Sequence, residues 1–255
     1  MNAHEIARLS GAAASVEVVR ETGSTNADLL SRVPRLSGNL MLIAERQTAG
    51  RGRAGRSWLS SEGGSLTFSL AWRFNAPLHA LAGLPLAVGV ALAETLAAQG
   101  VKVQLKWPND LLKDGAKLAG VLIETAAAPD GAIWAVIGVG LNLDLPDELE
   151  AQIARPAASA PWLAGMDRNL LAAALLMHLA LAMREFEGAG FRAFCTRWNR
   201  LHAYAGCPVN IVDRGAVTYS GLAAGVDDSG ALLLDTATGR IAVLAGDVSL
   251  RPVEA

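Results

Sequence analysis

Residues 44–58 read AERQTAGRGRAGRSW and set Arg46, Arg51, Arg53 and Arg56 among Gly50, Gly52 and Gly55. Guanidiniums this close repel one another until an anion arrives. Each offers a planar fork of donors suited to carboxylate or phosphate oxygens. With glycine hinges between them they read as a flap that closes over an anion. Two bland readings stand beside it: a solvated basic loop, or an arginine–glycine nucleic-acid segment of the kind that ordinarily repeats many times. Phosphate-loop signatures are absent, since neither GxxxxGK[ST] nor a GxGxxG strand–helix junction occurs.

Two further clusters carry chemistry-bearing side chains. KWPNDLL (106–112) ends a strand and turns at Pro108, presenting Asn109 and Asp110. An amide there can read a base edge or a ureido group, and a carboxylate can orient a metal or accept a proton. An ordinary Asn-Asp turn explains the same residues. KLAGVLIE (117–124) opens an otherwise apolar strand with Lys117, whose ammonium can neutralise approaching acids or merely snorkel at an edge. Gly120 and the glycines of GVGLN (138–142) supply flat wall for a planar ligand, or relieve crowding between strands.

These side chains must be held by a sizeable fold. The 255 residues are 52% hydrophobic and 18% charged, enough for a large buried core and far from disorder. A net charge of −2 provides no field to hold nucleic acid or a membrane, so any basic function is local to the arginine loop. The apolar runs 80–98 and 170–183 are interrupted by Pro85, Glu94 and His178 and read as buried helices. MNAHEIARLS has no apolar signal region, and Cys195 and Cys207 lack pairing or metal spacing. The expected setting is the reducing cytoplasm.

The periodicity predicts a helix after Gly23-Ser24, with Ser24, Thr25 or Asn26 as its cap, and strands at 40–45, 65–74 and 101–107. It also predicts a helix over 79–98, a hairpin across Asp114-Gly115 within 110–127, a strand at 132–143 and helices at 167–187 and 191–204. The stretch 156–161 reads as a loop. This is an α+β fold: a mixed, mostly antiparallel sheet with helices packed on one side. After Gly206 short strands alternate with DRG, DDSG and ATG turns, predicting a small barrel. The expected organisation is therefore a catalytic domain over 1–205 and a small domain over 206–255.

GSTNADL, RQTAGRGRAGRSW, KWPND, KLAGVLIE and IGVGLN follow one another in the order and approximate spacing seen in biotin protein ligases. The sequence strongly resembles that family over residues 22–143. The resemblance implies a core like that of class II aminoacyl-tRNA synthetases and an SH3-like C-terminal domain. It implies a two-step ligase that makes biotinyl-5′-AMP from biotin and ATP and passes the biotinyl group to a lysine of an acceptor domain. Ser24, Thr25, Asn26 and Gln47 match biotin contacts. Gly50, Arg51, Gly52, Arg53 and Arg56 match the loop over biotin and phosphate, and Lys117 the lysine at carboxylate and phosphate, with Gly120 beside it. Trp58 matches the indole that stacks on adenine, and Asn109 and Asn142 adenine-side contacts. Asp110 is the candidate that steers or deprotonates the acceptor lysine.

The resemblance further implies Mg²⁺ travelling with ATP, with ligands unassigned, and the biotin carboxyl carrier domain of acetyl-CoA carboxylase or a related carboxylase as partner. About twenty residues precede Gly23, fewer than a DNA-binding helix-turn-helix domain needs, so no DNA binding and no membrane partner are expected. Ala54 stands where some family members carry another arginine. Monomer and homodimer both stay open. Two rivals are lipoate or octanoate ligases and transferases, which share the core, and a nucleic-acid module built on GRGRAGR.

Overall fold

A computed structural model describes residues 1–128, 130–146, 151–152 and 156–253. Its strands are β1 (Ser15–Thr22), β2 (Leu40–Gln47), β3 (Ser65–Phe74), β4 (Gln104–Lys106), β5 (Asp110–Lys113), β6 (Ala116–Ala127) and β7 (Ile133–Asn142). They form a seven-stranded sheet in the order β1-β2-β3-β7-β6-β5-β4. β1 runs parallel to β2 and the other neighbours pair antiparallel. The helices are α1 (Ala3–Leu9), α2 (Thr25–Arg32), α3 (Leu84–Ala98), α4 (Pro161–Ala164), α5 (Arg168–Ala189) and α6 (Arg192–Arg200).

Side-chain alternation along the strands divides the sheet into two unlike faces. Leu66, Phe68, Leu70, Trp72 and Phe74 of β3 join Ala135, Ile137, Val139 and Leu141 of β7 in the main core. Residues of α1, α3, α5 and α6 cover that face, among them Ile6, Leu92, Leu179 and Phe194. Positions of the other parity form a smaller cluster, Leu40, Leu42, Ala71, Trp134 and Val136, under Leu29 of α2 and Val33. The expected α+β fold, a mostly antiparallel sheet with helices packed against it, is what forms; α2 is the helix that lies on the opposite face, where its own apolar residues find a second patch. Where that patch stops, the same parity continues as Ser69, Gly138, Gly140, Gly120 and Leu122, all lining a cleft.

The segments Leu78–Ala98 and Arg168–Ala189 are long and apolar enough to cross a membrane, but 67% and 56% of their apolar windows are buried inside this fold. The helix expected over 79–98 is broken. A 3-10 turn (Leu78–Leu81) precedes α3, and Gly83 between them has φ 78°, where an added Cβ would sit 2.6 Å from Phe191 Cβ. The strand expected at 101–107 shrinks to the three residues of β4.

The C-terminal strands are β8 (Pro208–Asp213), β9 (Ala216–Val226), β10 (Leu232–Thr236), β11 (Gly239–Val243) and β12 (Val248–Pro252). They make a five-stranded antiparallel sheet, ordered β11-β10-β9-β8-β12, around Val209, Ile211, Leu232, Leu234 and Leu250. Asn199 of α6 fastens this sheet by donating to Val226 O at 3.1 Å and accepting from Val226 N at 2.8 Å. The buried Trp107 indole donates to Gly230 O at 3.2 Å, so the strand leading into the cleft is also tied to the small sheet.

Candidate active site

A cleft of about 1000 Å³ opens on the face that α2 leaves uncovered. Its floor is glycine, for a reason visible atom by atom. A Cβ on Gly138 would collide with the Asn26 amide, and one on Gly140 with the Trp58 indole. A Cβ on Gly120 would lie 2.9 Å from Lys117 Nζ. These three glycines are the space into which site side chains fold.

At one end of the cleft the start of α2 is stitched to the sheet. Thr25 donates its backbone N–H to Gln47 Oε1 at 2.8 Å, and its hydroxyl lies 2.7 Å from Ser69 Oγ. Ser69 donates to Asn26 Oδ1 at 2.6 Å, while Asn26 Nδ2 donates to Glu124 Oε2 at 3.0 Å. Ser24 occupies the N-cap and accepts from Ala27 N at 3.5 Å. Ser24, Thr25 and Asn26 are all buried, so this end is a compact set of oriented donors and acceptors on a nearly apolar wall.

Lys117 and Asp110, both lining the cleft, form an ion pair. Lys117 Nζ lies 2.5 Å from Asp110 Oδ1. That oxygen is out of solvent and in no hydrogen-bond geometry, so the contact is chiefly charge on charge. Lys117 also lies 5.7 Å from the centre of the Trp58 ring. The 156–160 stretch pins the lysine's backbone, with Lys117 N donating to Pro156 O at 3.1 Å and Ala158 N to Lys117 O at 2.8 Å. Asn142 Nδ2 secures the same stretch through Ala158 O at 3.1 Å.

The arginine loop splits its charges between two anchors. Arg51 reaches Glu124 Oε1 at 2.8 Å. Arg53 donates to Asn109 Oδ1 at 3.0 Å and to the carbonyls of Gly246 and Val248, the latter at 3.4 Å. Burial pushes the Arg53 guanidinium below its ordinary pKa, while Asp110 partly restores it. Its hydrogen bonds therefore act where water screens them least.

Most of the expected site residues converge on this cleft: Ser24, Thr25, Asn26, Gln47, Arg51, Gly52, Arg53, Arg56, Trp58, Asn109, Asp110, Lys117, Gly120 and Asn142 all line it. Gly50 is not among its lining residues and sits at the loop base, where a Cβ would strike the carbonyl of Trp58. Asn109 is already engaged on both sides, since its Nδ2 donates to Val121 O at 2.7 Å and its Oδ1 accepts from Arg53. Sequence reasoning missed several contributors. Ser69 and Glu124 share the strand parity of Gly138 and Gly120, a signal open to inspection. The β12 residues Val248 to Pro252, with Asn210, wall the cleft from some hundred residues further along the chain, and no local pattern announces them.

A sequence profile described as the biotin/lipoate A/B protein ligase family matches residues 16–142, and one described as the biotin protein ligase C terminal domain matches 205–251. The bifunctional ligase/repressor BirA of Escherichia coli is 36% identical over 247 residues, spanning 94% of this chain and 75% of that protein. The chain belongs to the biotin/lipoate A/B protein ligase family. A biotin--[acetyl-CoA-carboxylase] ligase of Mycobacterium tuberculosis is 35% identical, covering 91% of this chain and 88% of its own. Among solved members of the biotin/lipoate ligase family, the biotin protein ligase of Aquifex aeolicus in complex with biotin and ATP superposes with a TM-score of 0.78 at 29% identity. That match covers 93% of this chain and 99% of the other.

Proposed function

We propose that this chain activates biotin with ATP to biotinyl-5′-AMP and transfers the biotinyl group to a lysine of a biotin-acceptor domain. The observation that carries this reading is the arrangement inside the glycine-floored cleft. A polar end at Ser24–Asn26 suits a ureido ring, and the Lys117–Asp110 pair and the arginine flap line the same cleft. In the first step biotin's carboxylate attacks the α-phosphorus of ATP and pyrophosphate leaves. In the second the acceptor amine attacks the acyl carbon and AMP leaves. The first step brings two anions together, so fixed cations aimed at the reacting oxygens lower its barrier. Lys117, Arg51 and Arg53 are those cations, each held at rest by an acid or a carbonyl that an incoming anion can replace.

Ser24, Thr25, Asn26 and Gln47 are assigned to biotin in this reading. Trp58 takes adenine on the outer face of its indole, the inner face being occupied by the glycine wall. Asn142 holds the wall of the nucleotide half. Asp110, beside Lys117, is the group that meets the acceptor lysine. Mg²⁺ is expected to arrive with the phosphates. Among the described residues no group of three His, Cys, Asp or Glu is placed to hold a metal, and Asp110 and Glu124 each already face a cation. The donor set does not fit a resident ion, and no step runs through one.

The acceptor class is the biotin carboxyl carrier domain of acetyl-CoA carboxylase or a related carboxylase, a reading supported by the names of the Mycobacterium and Paracoccus relatives. A division into a catalytic unit over 1–205 and a smaller unit over 206–255 is supported by the separate five-stranded sheet. Two unpaired thiols, Cys195 and Cys207, support a cytoplasmic setting. The test is pyrophosphate release from ATP with biotin and, in parallel, with lipoate. Biotin-dependent release without an acceptor supports the reading. Release with lipoate alone, or none with either, overturns it.

A further inference from the structure

A chain of side-chain hydrogen bonds runs from the arginine flap into the polar end of the cleft, and an acid sits where the two meet. Glu124 of β6 has a donor on each oxygen: Arg51 lies 2.8 Å from Oε1, and Asn26 Nδ2 lies 3.0 Å from Oε2. From Asn26 the chain passes to Ser69, then Thr25, then Gln47, over 2.6, 2.7 and 3.1 Å. Thr25, Asn26 and Ser69 are buried, so bulk water does not compete for these protons. Those three and Gln47 line the cleft, whereas Glu124 is not among its lining residues. Whatever Glu124 does for a ligand, it does through its neighbours.

The direction of each proton follows from the acid. A carboxylate paired with a guanidinium only accepts, so Asn26 turns its amide nitrogen toward Glu124 and its oxygen toward Ser69. Ser69 then spends its hydroxyl proton on Asn26 Oδ1, and Thr25 must spend its own on Ser69. Gln47 Oε1 is left with the Thr25 backbone N–H, at 2.8 Å, and keeps a lone pair for another donor. Leu122 O, 3.4 Å from Asn26 Nδ2, is a longer acceptor on the same side.

Reversing the chain breaks none of its short links. An amide at position 124 would give its oxygen to Arg51, because a charge-assisted bond outweighs a neutral one. Its nitrogen would then face Asn26, whose amide would turn over at the cost of the long contact to Leu122. Ser69 would accept from Asn26 and donate to Thr25, and Thr25 would donate to Gln47 Oε1. Two self-consistent polarities therefore exist, and the native one alone leaves Gln47 Oε1 open. We propose that Glu124 is a positioning residue that fixes this polarity and so keeps Gln47 Oε1 ready for a ligand N–H. The inference rests on the biotin reading above, in which a cyclic urea brings N–H donors to this end of the cleft.

Titration calorimetry with biotinamide tests it, since that probe keeps the urea ring and has no carboxylate for Arg51 to meet. Glu124→Gln, close to isosteric, is expected to weaken binding by more than about tenfold, because the reversed chain consumes the acceptor. In an Arg51→Gln background the same change should cost less than about threefold, because the amide at 124 can turn its oxygen back to Asn26. Equal losses in both backgrounds would mark a merely structural role and overturn the proposal. Glu124→Gln binding as tightly as wild type would overturn it too, while leaving the biotin reading intact. Wild type that binds neither biotin nor biotinamide would instead sink that reading, and the role of Glu124 with it.

Discussion

Asn26 enters the cleft only because residue 138 has no side chain: its amide occupies the space that a Cβ at Gly138 would take. The same amide accepts from Ser69 at 2.6 Å and donates to Glu124 at 3.0 Å and to Leu122 O at 3.4 Å, so its position is fixed from three directions. A glycine on the floor thereby sets the donor–acceptor pattern at the polar end of the cleft.

Gly138→Ala is therefore expected to displace the Asn26 amide and weaken biotin binding about tenfold or more, roughly 1.4 kcal/mol. The overall fold should persist, since the methyl points into the cleft. Isothermal titration with biotin reads this directly. Gly188→Ala on α5, where an added Cβ meets nothing within 4 Å, is the control. Equal affinity in the two variants would show that Asn26 does not orient biotin.

In the proposed reaction Lys117 serves the first half-reaction and Asp110 the second, so their variants should separate the two. Lys117→Gln removes a cation aimed at the forming anhydride and should slow adenylate formation by about 10²-fold or more. Lys117→Arg should not rescue it, because a planar fork cannot reproduce a point charge 2.5 Å from Asp110. Asp110→Asn should leave adenylate formation within about tenfold but slow transfer to the acceptor lysine by more. Single-turnover measurements, with and without acceptor, distinguish these. A transfer rate untouched in Asp110→Asn removes the residue from the second step.

Much of this arrangement was readable from residue order because strand parity does the sorting. Polar and glycine positions alternate with apolar ones in SLTFSLAWRF and IWAVIGVGLN, so one face becomes core and the other a floor. The same parity would have exposed Ser69 and Glu124. β1 and α1 carried too little contrast to announce themselves: β1 buries none of its residues fully, and its parallel pairing with β2 depends on a crossover through α2. The approach of β12 to the arginine loop is set by how the small sheet docks through Asn199 and Trp107, a long-range outcome with no local signature.

His202 makes stability depend on acidity. The ring is buried against Trp198 with both nitrogens unpartnered, and burial lowers its pKa from 6.5 to about 4. Between those values the unfolded chain holds a proton that the native state lacks. Stability is thus full above about pH 6.5 and falls as pH drops toward 4, by about 2–3 kcal/mol from this site. Urea midpoints at pH 7 and 4.5 should differ less in His202→Leu than in wild type. An equal difference in both would assign the acid sensitivity elsewhere.

Arg53 joins the flap to the rest of the molecule at both ends of its guanidinium. One side meets Asn109 Oδ1 at 3.0 Å and the other the carbonyls of Gly246 and Val248, which lead into β12. These bonds sit in a partly dehydrated position, where burial already lowers the guanidinium's pKa and each bond counts for more than on an open surface. In the proposed reaction a flap fastened this way would keep water and stray nucleophiles from a labile mixed anhydride. Arg53→Gly cuts both fastenings and adds backbone freedom to a loop that already holds Gly50, Gly52 and Gly55. Folding stability should change by no more than about 1 kcal/mol, since the loop lies outside the core. Adenylate formation should fall with the loss of one of its three cations, and retention of the intermediate should fall further still. After loading with labelled biotin and ATP, rapid gel filtration should find the label with wild type but largely free with the variant. A bystander protein mixed with the variant should gain biotin on its lysines. Retention equal to wild type would mean that the flap closes without Arg53 and that Arg51 alone governs release.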